Sequence, residues 1–261
     1  MNDDSSVFQH FRADERPFIE RVEDWLGRVY TRHQLQLTDF LNPREQFILR
    51  TLTQRTADVV CFFDGGYEQA EYQRCLLAPD YWHPQPEDMD LCFLEITGAT
   101  QFQPLKHRDY LGALLNLGIK RDKIGDLLVT DDRCQLVTNR QMGTYIRLNL
   151  THVHRVHVTV EEIDRTCLTL PENTIEEQSV IVASTRLDAV LSATFPLSRS
   201  KIVPLIQASK CKVNWKVEEN PSATVEPGDT LSLRGYGRVY VLALEGETKR
   251  GRIRLTIGKP L

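Results

Sequence analysis

Between residues 88 and 160 the apolar spacing switches between period two and a helical period in the order β-α-β-β-α-β, and that order restricts the fold more than any other feature of the chain. Residues 91–97 read as a strand. Residues 107–117 carry helical spacing and end at Gly118, the position that closes a helix in left-handed backbone. Residues 127–130 and 134–138 are two strands about a turn at Asp131-Asp132, and residues 140–150 form a second helix. Residues 153–160 alternate valines with polar residues and read as one closing strand. The expectation is a ferredoxin-like or RRM-like α+β sandwich. Its strands lack the basic-aromatic pattern by which RRMs stack bases, so Phe93 and Phe102 are expected in the core. The order alone assigns no function, because this superfold hosts many.

The flanks read differently. Residues 1–84 are mainly helical, with Pro17 as a first-turn proline and Phe18, Val22, Trp25 and Val29 at helical spacing. Asn42-Pro43-Arg44-Glu45 combines an N-cap, a proline at the first helical position and a glutamate three residues after the cap; Phe47, Ile48 and Leu52 supply the apolar face. Residues 59–63 are a buried strand stopped by Asp64-Gly65-Gly66, and residues 67–78 are expected to continue as helix into a strand at 75–78. Pro79, Pro84 and Pro86 mark a break before the middle domain, 85–162. Residues 163–182 read as a polar connector. Residues 183–261 form a terminal module of two helices, at 186–193 and 199–208, with three short strands and a basic tail.

Charge separates that module from the rest. Residues 182–261 hold 13 Lys+Arg and 7 Asp+Glu, a net of +6; the remaining 181 residues hold 19 and 29, a net of −10. A basic module on an acidic body suits docking on phosphate. Six scattered cysteines without C-x-x-C spacing suit reduced, mostly buried thiols and supply neither a disulfide framework nor a zinc site. No run of about 18 apolar residues is present. The acidic amino end lacks the apolar core of a secretory leader, and the expected location is cytoplasmic.

Within the basic module one spaced pattern stands out: Arg186-Leu187-Asp188, Leu191, Ser198-Arg199-Ser200-Lys201, Leu205-Ile206, Val213-Asn214, Pro227-Gly228-Asp229 and Arg234-Gly235-Tyr236-Gly237-Arg238. Two short helices packed through Leu187, Val190, Leu191, Leu205 and Ile206 would present Arg186, Arg199 and Lys201 on a common surface, with Ser198 capping the second helix. Lys210, Lys212, Asn214, Arg234 and Arg238 extend that surface, as do the tail residues Lys249, Arg250, Arg252 and Arg254. Such cations fix an RNA backbone and supply most of a salt-sensitive affinity. The pattern resembles the S4 domain, the small RNA-binding module of ribosomal protein S4 and many RNA-modifying enzymes. It departs from the usual pattern at Ser209, which stands where a glycine is customary and is expected to widen the turn before Lys210.

The resemblance runs through nearly the whole chain. Phe8-Gln9-His10-Phe11 with Glu15-Arg16-Pro17-Phe18, then Phe63-Asp64-Gly65-Gly66-Tyr67-Glu68, Ala78-Pro79-Asp80-Tyr81, the stretch from Leu111-Gly112-Ala113 to Lys120-Arg121, and Ile124-Gly125-Asp126 together resemble the YlmH family of bacterial RNA-binding proteins. That family has a helical amino segment, an RRM-like middle domain and a terminal S4 domain. Lys106-His107-Arg108-Asp109-Tyr110-Leu111-Gly112-Ala113 is similar to its cyanobacterial and plastid branch, the photosystem II S4 domain proteins. The resemblance implies binding of structured rRNA or tRNA, association with the ribosome, and a part in rescue of stalled large subunits.

Catalytic patterns are weak. Ser198-x-x-Lys201 matches the serine acyl-enzyme motif without its S-D-N and K-T-G partners. On one strand, His152 and His154 share a face and His157 takes the other, so one metal ion cannot gather all three. Gly65-Gly66 and Gly235-x-Gly237 lack the lysine and the strand-to-helix context of nucleotide loops. The reading is a non-catalytic RNA-binding protein without cofactor or metal and without DNA specificity, its oligomeric state open. The alternatives are a photosystem II assembly or maintenance factor acting through RNA, and an RNA-modifying enzyme. On this reading, replacing Arg199 and Lys201 by glutamate abolishes binding and leaves the thermal midpoint nearly unchanged.

Overall fold

The computed structural model describes residues 11–98, 104–170, 175–247 and 251–260. The chain divides into two compact units, Met1–Pro171 and Glu172–Leu261.

The first unit opens with α1 (Arg16–Arg32), whose proline lies in the first turn and whose Ile19, Val22, Leu26 and Val29 are buried. After β1 (Gln36–Leu37) comes α2 (Pro43–Thr53), started by the expected box: the Asn42 side chain accepts from the N–H of Arg44 and Glu45, and Glu45 Oε2 accepts from Asn42 N–H at 2.9 Å. Its buried face is Ile48, Leu49 and Leu52; Phe47, expected inside, is 55% exposed and lies under the Arg44 guanidinium. β2 (Val59–Asp64) and β3 (Arg74–Pro79) pair antiparallel, with β1 on the other edge of β3.

The helix expected from residue 67 is absent. The carboxylate of Asp126 accepts from Tyr67 Oη at 2.6 Å, Glu71 N–H at 2.7 Å and Tyr72 N–H at 3.1 Å, which fixes this stretch as a loop. Gly65 allows the fold-back: a Cβ there would fall 2.5 Å from Tyr72 O and from Ala70 Cβ.

The middle domain follows the expected order with one change. Its elements are β4 (Leu91–Gly98), α3 (His107–Asn116), β5 (Ile124–Val129), β6 (Arg133–Asn139), α4 (Arg140–Asn149), β7 (His152–Val153) and β8 (Val156–Ile163). Strand order β5-β6-β4-β8-β7, all antiparallel, is that of a ferredoxin-like sheet with a short extra edge strand. Gly118 closes α3 at φ +82°. The single closing strand is instead a hairpin, because His154 turns the chain at φ +54°. His152 and His157 thereby become cross-strand partners with rings 5.1 Å apart, while His154 points to Asp109 at 3.2 Å. Among the described residues no group of three or more His, Cys, Asp or Glu is placed to hold a metal ion.

One face of this sheet, with Cys92, Leu94, Ile96, Cys134 and Leu136, packs with Tyr110 and Leu114 of α3 and Ile146 of α4. The opposite face is occupied by the chain itself. Gly66 lies against Phe93 and Val137, close enough that a Cβ would fall 2.7 Å from Phe93 Cε1, and Phe40 covers Gly125. Gln135 Nε2 donates to Cys167 O at 3.0 Å and Thr169 N–H donates to Gln135 Oε1 at 2.6 Å, laying residues 165–169 over the rest. Arg165 fastens that segment by pairing with both oxygens of Asp64 at 2.8 and 2.9 Å. Phe93 is thus half-buried beneath Gly66, and Phe102 lies outside the described residues.

The second unit starts earlier than its composition suggests. The supposed connector carries β9 (Ile175–Val182), whose alternate residues Val180 and Val182 are buried. Then come α5 (Leu187–Thr194), α6 (Arg199–Gln207), β10 (Cys211–Val213), β11 (Lys216–Val217), β12 (Thr230–Leu233), β13 (Gly237–Glu247) and β14 (Ile253–Pro260). The sheet order is β11-β10-β12-β13-β14-β9. Of the basic tail, Arg254 therefore lies on an interior strand, β14, facing Ile181 on β9 and Gly246 on β13 in register. Leu187, Val190, Leu191, Ile202 and Ile206 close one face of the sheet with Leu231, Leu233, Val239, Leu255 and Ile257. No helix among the described residues is long and apolar enough to cross a membrane. All six cysteines are free; Cys61 is partly exposed, Cys167 is exposed, and the other four are buried.

Candidate nucleic-acid interface

The cations predicted on the second unit fall into two groups held by different means. The first is built around Asp188, whose side chain is 4% exposed in the first turn of α5. Arg186 donates to it through Nε at 3.1 Å and through Nη2 at 3.0 Å; Arg199, the first residue of α6, donates through Nη2 at 2.8 Å. Burial pushes the Asp188 carboxyl up, but the hydrogen bonds and charges of the two arginines outweigh it and hold its pKa at about 2. The carboxylate orients both guanidiniums and cancels one of their two charges. Arg186 and Arg199 are 42% and 48% exposed, so their free edges remain open to a ligand.

Ser198 occupies the N-cap position of α6 with extended backbone, yet its side chain accepts no N–H; its hydroxyl pairs with Ser200 Oγ at 2.9 Å. The expected cap is absent. Lys201, one residue on, is exposed, and among the described residues its ammonium has no acidic partner.

The second group begins where α6 ends. Ser209 adopts φ +57°, Lys210 N–H donates to Leu205 O at 3.1 Å and Ser209 N–H donates to Ile206 O at 3.1 Å. These two bonds form a Schellman motif, so the turn is as tight as a glycine would make it, the serine bearing the left-handed conformation itself. Lys210 O then accepts from Arg234 N–H at 2.9 Å, which places the two cations beside each other. Lys212, Ser232 and Arg238 sit opposite one another across β10, β12 and β13, on the face away from the helices. Lys210, Lys212 and Arg234 are exposed and lack acidic partners among the described residues.

Asn214 is used differently from what the pattern suggests. Asn214 and Trp215 have φ +50° and +64°, the left-handed pair that joins β10 to β11 tightly. The Asn214 amide donates to Asp229 Oδ1 at 2.7 Å and accepts from Thr230 N–H at 2.8 Å, so it ties two loops together while its second N–H and second lone pair stay open.

Three aromatic or acidic residues join the site that no charge count singles out. Arg238 lies 5.2 Å over the Trp215 ring. Tyr236, 45% exposed in the β12–β13 turn two residues after Arg234, stands 6.2 Å from Phe195 at the end of α5. Asp188 is the third. Tyr236 and Asp188 lie inside the spaced motif, but nothing in their spacing distinguishes a stacking ring or a buried anchor from filler. Of the tail cations, Lys249 and Arg250 lie outside the described residues, Arg252 is exposed, and Arg254 stands 3.9 Å from Glu245. The arrangement is a cationic surface with one exposed aromatic ring, Tyr236, and the half-buried Trp215 beneath Arg238, suited to phosphate and base faces.

Comparison with known proteins agrees along nearly the whole chain. Family models match at residues 14–82 ("YlmH, N-terminal"), 84–167 ("Putative RNA-binding domain in YlmH") and 185–231 ("S4 domain"). The chain is 40% identical over 252 residues to the ribosome-associated protein quality control protein P2 of Bacillus subtilis, with 97% of this chain and 98% of that protein aligned. Among solved structures it is similar to the cell division protein ylmH from Streptococcus pneumoniae, with TM-score 0.53 and 33% identity over 60% of this chain and 95% of that one.

Proposed function

This chain belongs to the YlmH family, and from that premise we propose that it is a non-catalytic RNA-binding protein that grips structured rRNA or tRNA on the large ribosomal subunit when translation stalls. The observation that carries this reading is the set of cations Lys201, Lys210, Lys212 and Arg234, which have no acidic partner among the described residues and are held on a sheet and a helix of the same unit as the oriented Arg186–Arg199 pair. Cations kept free of acids in the folded state keep their full charge for phosphate, and releasing the counterions of that phosphate drives association. The relative from B. subtilis carries ribosome association in its name, which supports the choice of partner.

The test is sedimentation of the native protein in a cell extract beside a Lys201→Glu/Lys212→Glu variant, which leaves the Asp188 anchor intact. Co-migration of the wild type with the large subunit, lost in the variant, is the expected result. Free migration of both proteins would refute the ribosomal role.

A further inference from the structure

In a sheet of the ferredoxin-like order, bases stack on the face away from the helices. Here that face is filled by Gly66, Phe40 and residues 165–169, so RNA reaching the middle domain must meet another surface. A cleft of about 390 Å³ opens on the helical side, between one face of α3 and the turn that runs from α4 into β7.

Its lining changes character along α3. Arg108, Gly112 and Asn116 follow at four-residue spacing and so lie in one row: a cation, a gap and an amide. The row spans about 12 Å of helix rise, enough for one nucleotide from phosphate to base. His152 and His154 line the opposite wall, and His154 reaches Asp109, the neighbour of Arg108, at 3.2 Å. The one acid there, Asp109, is already engaged: it accepts from Lys106 N–H at 2.8 Å, meets His154 Nε2 at 3.2 Å and stands 3.6 Å from Arg108.

Gly112 decides what the cleft is for. The two helix glycines of this domain differ in cause. Gly143 is required by packing, since a Cβ would fall 2.4 Å from Cys92 Sγ. Beyond the backbone of its own helix, Gly112 has no atom within 4 Å of where its Cβ would stand, and its backbone is not left-handed. A glycine in mid-helix weakens the helix; neither packing nor backbone accounts for this one, and its effect is to keep the middle of the cleft open.

We propose that the cleft receives one unpaired nucleotide of the bound RNA, its phosphate toward Arg108, His152 and His154 and its base over Gly112 against the Asn116 amide. The inference rests on the RNA-binding reading but concerns a different surface. It is tested on the full chain with labelled backbone amides, titrated with AMP, GMP, CMP and UMP. At least one of them should shift the Gly112, Asn116 and Thr151 signals saturably. Gly112→Leu, which fills open space and favours the helix, and Arg108→Ala should each weaken that binding by about tenfold. Absence of saturable shifts up to about 10 mM, or unchanged binding by Gly112→Leu, would overturn the assignment. Equal shifts from inorganic phosphate alone would reduce the cleft to an anion site and overturn the nucleotide assignment as well. Failure here, with subunit co-migration intact, removes the cleft alone; loss of co-migration with the titration intact removes the ribosomal reading alone.

Discussion

Arg199 and Lys201 are two residues apart and carry the same charge, yet their replacement by glutamate should have different consequences. Lys201 has no acidic partner among the described residues, so Lys201→Glu should change stability by less than about 0.5 kcal/mol. Arg199 donates at 2.8 Å to a carboxylate that is 4% exposed. Holding Asp188 near a pKa of 2 rather than its ordinary 3.8 stabilises the fold by roughly 1–2 kcal/mol at neutral pH, the partners' solvent exposure reducing the full linkage value. Arg199→Glu removes about half of that and sets a second carboxylate a few ångströms away, which adds on the order of 1–2 kcal/mol of repulsion at the dielectric of a protein surface. The combined loss of about 1.5–3 kcal/mol corresponds to a fall in midpoint of roughly 6–24 °C for a unit the size of Glu172–Leu261. Thermal unfolding of the two single variants followed by circular dichroism measures this directly. The expectation that both replacements leave the midpoint unchanged is corrected accordingly. The pH dependence has a definite sign. The folded pKa of Asp188 is depressed, so its contribution is complete above about pH 4 and is lost as pH falls through about 2. Asp188→Asn should lack that component. Equal midpoints for wild type, Arg199→Glu and Lys201→Glu at pH 7 would refute the anchor argument.

Two further outcomes follow from the geometry. If about five of the cations meet phosphate, log affinity for a structured RNA should fall against log salt with a slope near −4 to −5, and Lys212→Ala should make it shallower by about one; a salt-independent affinity would sink the electrostatic account. Gly66 sits at φ +96° with Phe93 Cε1 2.7 Å from the position of a Cβ, so Gly66→Ala should destabilise the first unit by about 2–4 kcal/mol. Chemical denaturation would show it as a lower midpoint at unchanged slope, and wild-type stability would mean that this face of the middle sheet is looser than its contacts indicate.

The chain's periodicity and punctuation determined the order of most elements along the chain, the α2 cap at Asn42 and Glu45 and the close of α3 at Gly118, because each depends on residues near one another in sequence. The spaced basic motif located the RNA-facing module for the same reason. What failed depended on distant partners. The loop at residues 67–73 has helical composition, but Asp126, more than 50 residues away, holds it open. β9 and β14 looked like a polar connector and a basic tail because only one face of each is buried, and their apolar alternation counts only once they pair with each other. The blocked face of the middle sheet needs Arg165 to reach Asp64. In the interface, the type of charge was fixed by sequence, whereas its use was fixed by tertiary structure: Asp188 converts two arginines into an oriented pair, and the Asn214 amide is oriented by Asp229. Local rules assign a side chain its charge and its element. Whether that charge faces RNA or an internal partner is decided by which residues the fold brings within about 3 Å of it.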